Sequence, residues 1–161
     1  MRNTIVTRRF GLGVYLLVYD LNITKALLLR LSVKKQKSGG RIWGNVGGKV
    51  NIGETSRDAC AREAREEIGL SIEPLELTFL FVKEEPMFSP DVHGIQFFYG
   101  LAIDINCHIA INSEAVSHRW FPIGNIPSSA LDSRHIYLLG ARLLKERLET
   151  RMGGVADVKQ F

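Results

Sequence analysis

The stretch GGKVNIGETSRDACAREAREEIGL, Gly47 to Leu70, places two adjacent glycines a short distance before a segment crowded with Arg and Glu. Glu63, Glu66 and Glu67 fall within about one helical turn of one another, where their negative charges repel. Such a pair of like charges destabilises an exposed helix by a few tenths of a kcal/mol. The stretch therefore predicts either a solvated charged face or a cation that neutralises the three carboxylates.

The segment carries its own helix boundaries. Thr55 and Asp58 form a variant of the capping box, and Gly69 suits the left-handed conformation that often ends a helix. One arc of this helix is apolar and predicts a buried face: Cys60, Ala61, Ala64 and Ile68. Glu67 lies beside that arc, so we expect its carboxylate to point toward the protein body.

Three carboxylates beside a buried edge suit a hard divalent cation, which prefers oxygen ligands. Magnesium often bridges protein carboxylates to a substrate phosphate. Gly47 and Gly48 permit close approach of the backbone because they lack a Cβ. The stretch therefore indicates phosphate chemistry.

The whole chain limits the other possibilities. Its 161 residues predict a single domain, and the net charge of +4 fits an anionic partner. Cys60 and Cys107 show no zinc or disulfide-scaffold spacing, which favours a reducing compartment. The start MRNTIVTRRF lacks a signal-peptide pattern, and no apolar run is long enough to span a bilayer. We therefore expect a soluble, cytoplasmic protein without a membrane partner.

Apolar runs outside this stretch predict strands at residues 10–20, 25–32, 75–85, 94–104 and 118–123. Residues 33–41 and the proline-bearing segment 86–93 predict loops, and residues 133–149 predict a second helix. Strands mixed with two helices predict an α/β sandwich around a mixed sheet.

The spacing of the charged residues resembles a known family. Gly48, five residues, Glu54, seven residues and then REAREEIGL, residues 62–70, are similar to the complete signature of the Nudix hydrolases. The resemblance implies an α/β fold, a Nudix-type α/β/α sandwich around a mixed β-sheet, with residues 1–161 as one domain. It also implies hydrolysis, with Mg²⁺ or Mn²⁺, of a nucleoside diphosphate linked to another group.

The resemblance also implies roles for individual residues. Glu63 and Glu67 would be the main metal ligands, Glu66 a further ligand and the Gly47 carbonyl an axial one. Arg62 would hold the glutamates, and Glu54 would hold the loop that carries the glycines.

The base is left open between two residues. Glu114 stands six residues before Trp120, the spacing at which one branch of the family places a catalytic acid, and it is a candidate base or additional ligand. Glu63 is the competing base.

Substrate contacts are expected outside the signature as well. Arg30 matches the place where some relatives hold a phosphate, Trp43 and Phe88 are candidates for stacking a base, and Gly47 and Gly48 are expected to approach the substrate. Val46 and Asn51 depart from the residues most relatives have there, which affects the shape of the loop and the fit of the substrate.

The resemblance leaves the substrate open. A nucleoside triphosphate, such as an oxidised dNTP, ranks slightly above ADP-ribose or a related nucleotide sugar, which the position of Pro86 favours. A non-catalytic nucleotide-sensing module and an RNA-decapping protein are the alternatives of other classes. Nucleic acid is not the expected partner, and a homodimer is left open.

Overall fold

The computed structural model describes residues 9–89 and 91–157. Its central strand is β1, Arg9–Asp20, which forms from the first long apolar run. Along one edge, β1 pairs in parallel with β6, Val92–Ile103, over its whole length. Along the other edge it pairs antiparallel with β2, Lys25–Leu31, and with β4, Val46–Lys49. The sheet is therefore mixed, as predicted.

The remaining elements extend this sheet and cover it. The described part of the chain forms seven strands in the order β3-β2-β1-β6-β5, with β4 beside β1 and β7 beside β2. The other elements are α1 (Val33–Gly39), β3 (Trp43–Gly44), α2 (Ser56–Ile68), β5 (Thr78–Ser89), β7 (Ala115–Pro122) and α3 (Arg134–Asp157).

The alternation of side chains along β1 separates two cores. Val14, Leu16 and Val18 are buried in the core that contains the apolar face of α2. Leu17 and Tyr19 are buried in the other core, where residues of α3 pack. Since successive side chains of a strand point to opposite faces, one strand supplies both cores. The predicted α/β/α sandwich is confirmed.

The prediction of a loop over residues 33–41 is wrong for most of its length. Residues Val33–Gly39 form α1, which ends at Gly40 in the left-handed conformation at φ 65°. The Gln36 side chain donates to the Leu31 carbonyl, 2.7 Å away, and fixes the helix to the end of β2. Lys and Gln are good helix formers, and the flanking glycines obscured this short helix in the sequence.

The prediction of a loop over residues 86–93 is also wrong, because β5 continues to Ser89 and β6 begins at Val92. Pro86 lies within β5, where the register shifts between Glu85 and Ser89. Proline is tolerated there since β5 is an edge strand and the irregular register requires fewer amide donors.

The ends of the expected 1–161 domain, residues 1–8 and 158–161, lie outside the described residues, as does residue 90. The expected helix at 133–149 is present and extends to Asp157. Within the described ranges, no helix is both long enough and apolar enough to cross a membrane.

Asp20 holds the turn between β1 and β2. Its Oδ1 accepts from the amides of Thr24 and Lys25, each at 2.7 Å. Its Oδ2 accepts from the Thr24 hydroxyl at 3.0 Å. Burial raises the pKa of Asp20, but these hydrogen bonds outweigh burial and lower the pKa overall.

We expect Asp20→Asn to lower the free energy of unfolding by about 1 to 3 kcal/mol at neutral pH, because a charged acceptor of backbone amides is lost. The native pKa lies below the unfolded value, so this contribution is present above the unfolded pKa and is lost as the pH falls through the native one. Urea unfolding at a series of pH values measures it, with Glu149→Gln on the exposed face of α3 as the control. A pH-independent difference between wild type and Asp20→Asn would contradict the account.

Candidate active site

Helix α2 begins and ends where its sequence predicts. The Thr55 hydroxyl accepts from the Asp58 amide at 3.1 Å, and Gly69 ends the helix in the left-handed conformation at φ 71°. Cys60, Ala64 and Ile68 are fully buried against the sheet. This packing fixes the rotation of α2, and therefore the direction in which its glutamates point.

Arg62 ties the acidic residues of this region together. Its Nε and Nη2 donate to the two carboxylate oxygens of Glu54, at 3.0 and 2.9 Å. Its Nη1 donates to Glu63 at 2.7 Å and to Glu66 at 3.2 Å. Its Nη2 also donates to the Lys49 carbonyl at 2.9 Å. Such a planar fork fixes carboxylates in position better than a single charge does.

Glu54 closes the loop between β4 and α2. Its Oε2 accepts from the Asn51 amide at 2.7 Å, while Arg62 engages both of its oxygens. Arg62 lowers the pKa of Glu54 to about 2, so its carboxylate is ionised at neutral pH. The role expected for Glu54 matches these contacts.

The glycine pair packs where no side chain fits. A Cβ on Gly47 would overlap the Val14 carbonyl of the neighbouring strand, and a Cβ on Gly48 would overlap the carboxylate of Glu63. The Gly47 amide donates to Oε2 of Glu67 at 2.9 Å. The absence of side chains at both positions thus lets two carboxylates of α2 lie directly against the β4 backbone.

Glu67 is the buried member of the cluster, with 8% of its surface exposed. Burial raises its pKa to about 8; the charges of Glu63 and Glu114 act in the same direction, while the Gly47 amide opposes them. An acid in this position stays ionised at neutral pH only if a positive charge compensates it.

Glu114 is brought to the site although it lies far from the signature in sequence. Its carboxyl group is hydrogen-bonded to that of Glu67. On the other side, Nζ of Lys35 lies 2.6 Å from Oε2 of Glu114. Lys35 lowers the pKa of Glu114. The pKa values of the two carboxyl groups are therefore displaced in opposite directions, upward for Glu67 and downward for Glu114.

The carboxylates of Glu63, Glu66 and Glu67 are suitable ligands for a divalent cation, but they do not converge on a single point. Among residues 9–89 and 91–157, no three Asp, Glu, His or Cys side chains form a ready ligand cluster. Arg62 forms ion pairs with Glu63 and with the half-exposed Glu66, whereas the Gly47 amide donates a hydrogen bond to Glu67. The carboxylates of Glu63 and Glu67 nevertheless lie against adjacent glycines, and oxygen donors of this kind are those a hard cation prefers.

The expected substrate residues outside the glycine pair lie on β2, β3 and β5. Arg30 is exposed on β2 and is the register partner of Trp43 on β3. Trp43 packs edge-on against Phe121, with ring centroids 4.9 Å apart, and borders the core on the α3 side. Phe88 is 55% exposed on β5 and covers Gly94. Their roles in binding substrate stay predictions.

Sequence reasoning missed a buried polar group on the α3 side of the sheet. The Asn45 side-chain amide donates to Oδ2 of Asp132 at 2.8 Å, and the Tyr137 hydroxyl donates to the Asn45 side-chain oxygen. Lys83 lies 4.0 Å from Oδ1 of Asp132. Asn45 precedes the glycine pair by two residues, which was its only signal in the sequence, and no pattern around Asp132 indicated its role.

Comparisons with known proteins agree with this geometry. A family model described as NUDIX domain matches residues 9–139. The mouse (Mus musculus) protein "Oxidized purine nucleoside triphosphate hydrolase" is 30% identical over 122 residues, which cover 73% of this chain and 71% of that protein.

Solved structures share the fold. A MutT NUDIX hydrolase from Burkholderia pseudomallei superposes with a TM-score of 0.66 at 20% identity, covering 81% of this chain and 97% of that one. The MutT protein from Methanosarcina mazei Go1 gives a TM-score of 0.62 at 22% identity, covering 87% and 96%.

The fold and the site thus define a hydrolase that acts on pyrophosphate bonds. The chain belongs to the Nudix family. Members of this family generally use divalent metal ions, and their substrates are nucleotides.

We expect Gly48→Ala to lower kcat at least tenfold while the protein still folds. The new methyl group displaces the end of the flexible Glu63 side chain rather than the backbone. Turnover and thermal unfolding measure the two effects. Gly13→Ala is the matched control, because a Cβ at that position of β1 makes an ordinary 3.6 Å contact. Unchanged turnover in Gly48→Ala would show that the position of Glu63 does not matter.

Proposed function

We propose that this enzyme hydrolyses nucleoside triphosphates, including an oxidised dNTP, to the nucleoside monophosphate and pyrophosphate. The observation that carries the proposal is the 30% identity to the mouse oxidized purine nucleoside triphosphate hydrolase over 73% of the chain. The full set of charged residues from Glu54 to Glu67, in mutual contact through Arg62, supports a catalytic rather than a purely sensing role.

Magnesium or manganese is the cofactor we propose, held by Glu63, Glu67 and the Gly47 carbonyl, with Glu66 as a further ligand. When bound, the ion neutralises phosphate oxygens and activates water. Arg62 keeps Glu63 and Glu66 in place, and the Gly47 amide orients Glu67. The buried position of Glu67 limits access of bulk water to its carboxylate.

Glu114 is the general base we propose, because it is ionised and in contact with the Glu67 carboxyl group. It would accept a proton from the attacking water, which then adds to the phosphorus as the pyrophosphate leaves. General-base catalysis typically contributes about 10² to 10⁴ in rate. Glu63 is proposed as a metal ligand instead, and like Glu114 it has one oxygen in contact with a cation, Arg62 at 2.7 Å.

The polar group on the α3 side of the sheet suits the edge of a nucleobase. Burial, and to a smaller extent the charges of Asp132, Glu85 and Glu67, raise the pKa of Tyr15 to about 12. Asn45 and Asp132 supply hydrogen-bonding groups there, and Lys83 supplies a cation.

The remaining proposals concern the domain boundaries and the compartment. We propose that residues 1–161 form one Nudix domain, of which the family match covers 9–139. Cys60 and Cys107 are unpaired, which fits the reducing cytoplasm.

Turnover of a substrate panel tests the proposed function. Wild-type enzyme with magnesium is incubated with 8-oxo-dGTP, dGTP, ADP-ribose and capped RNA, and the products are separated by ion-exchange chromatography. We expect release of pyrophosphate from the triphosphates and a higher kcat/KM for the oxidised purine than for dGTP. EDTA should abolish this turnover.

Glu67→Gln is the matched control, because it keeps the shape of the buried side chain and removes its charge. It should lower kcat by orders of magnitude in every reaction of the panel. Preference for ADP-ribose or capped RNA over the triphosphates would overturn the proposed substrate. Turnover that survives both EDTA and Glu67→Gln would overturn the proposed metal site.

A further inference from the structure

Helix α1 is fixed next to the candidate base by backbone hydrogen bonds. The amide of Ser32, the residue before α1, donates to the Glu114 carbonyl at 2.8 Å. The Gln36 amide donates to the Ser32 carbonyl at 2.9 Å, so Ser32 belongs to the first turn. The backbone of Glu114 therefore meets the beginning of α1 directly.

The same segment is also joined to the end of α2. The Asn112 amide donates to the Glu67 carbonyl at 3.2 Å, and the Asn112 side-chain oxygen accepts from the Glu114 amide at 2.9 Å. Glu114 thus lies between α1 and α2, with its backbone held from both sides. These bonds fix the Glu114 backbone but leave the direction of its carboxylate open.

The carboxylate is held by two opposing contacts. On one side it contacts the carboxyl group of Glu67. Lys35 lies in the first turn of α1 and forms the 2.6 Å ion pair with Oε2 of Glu114. The side chains of this pair are about half exposed, so the pair contributes little to the stability of the fold.

We infer that Lys35 is a positioning residue for the hydrolysis, which holds the Glu114 carboxylate over Glu67 and α2. The inference rests on the proposed function in assigning Glu114 to the site. The inference gives a role to α1, a helix of seven residues. It places Lys35 beside Glu114, which lies in a turn before β7. Lys35 acts through Glu114 and is not assigned a contact with substrate.

Replacement of Lys35 in two backgrounds, the wild type and Glu114→Gln, tests this inference. Lys35→Gln should lower kcat about fivefold, the scale of one exposed charge pair, and Lys35→Arg should restore most of it. Lys37→Gln removes the same charge from the same helix and should leave kcat unchanged. In the Glu114→Gln background, Lys35→Gln should have no further effect, because the group it positions is already absent.

A second measurement needs no turnover. Calorimetry gives the affinity for a non-hydrolysable α,β-methylene triphosphate, which we expect to change less than twofold in Lys35→Gln. An affinity loss of tenfold that persists in the Glu114→Gln background would show that Lys35 holds a phosphate instead, and would overturn the inference. An effect equal to that of Lys37→Gln would also overturn it.

Failure of the proposed function gives a different result. The kinetic comparison uses whichever Nudix substrate the wild-type enzyme hydrolyses, so an incorrect substrate class leaves it intact. Wild-type kinetics in Glu114→Gln would remove Glu114 from the site, and the inference about Lys35 would fall with it.

Discussion

The hydrogen bond between the Gly47 amide and the Glu67 carboxylate joins the sheet to the helix that carries the acidic residues. This hydrogen bond requires that the Glu67 carboxylate be buried, and only 8% of the residue is exposed to solvent. It also requires glycine at position 47, where a Cβ would overlap the neighbouring strand. Burying a charge in this way is unfavourable unless a partner compensates it. One amide is a partial compensation, and the raised pKa of Glu67 reflects the remainder.

Other features of the site follow from this constraint. Arg62 compensates Glu54 and Glu63 on one side of the glycine pair, and Lys35 compensates Glu114 on the other. Glu67 lies between these two cations without an ion pair of its own among the described residues. A divalent cation bound there would replace the proton that Glu67 otherwise holds. The local stability of the site and its chemistry are thus two consequences of the same uncompensated charge.

The sequence was sufficient to predict the part of the site that is local in the chain. The bounds of α2, its apolar face and the inward direction of Glu67 follow from capping and a period of 3.6 residues. The α/β sandwich followed from the apolar strands and the resemblance to a known family. The contact of Glu114 with Glu67 was not available from local pattern, because it depends on how the segment before β7 docks on the end of α2.

The missed features share a physical reason. Helix α1 is too short for its periodicity to stand out, and the side chains of Val33, Lys34, Lys35 and Lys37 are exposed rather than packed in a core. Residues 86–93 were predicted as a loop because proline usually interrupts a strand, but proline is excluded only from strand positions that need its missing amide. Asn45 and Asp132 are hydrogen-bonded although 87 residues separate them in the sequence, and no pattern in a single sequence indicates such a pair.

The central claim is that the carboxylates around the glycine pair form a site for a divalent cation. Thermal unfolding with increasing magnesium tests it directly, because an ion that binds only the native state stabilises it by linkage. At a hundredfold excess over Kd the account predicts a rise in Tm of roughly 5 to 10 °C for a chain of this size. The rise should shrink strongly in the Glu63→Gln, Glu67→Gln double variant. An equal rise in wild type and double variant would place the ion elsewhere and contradict the account.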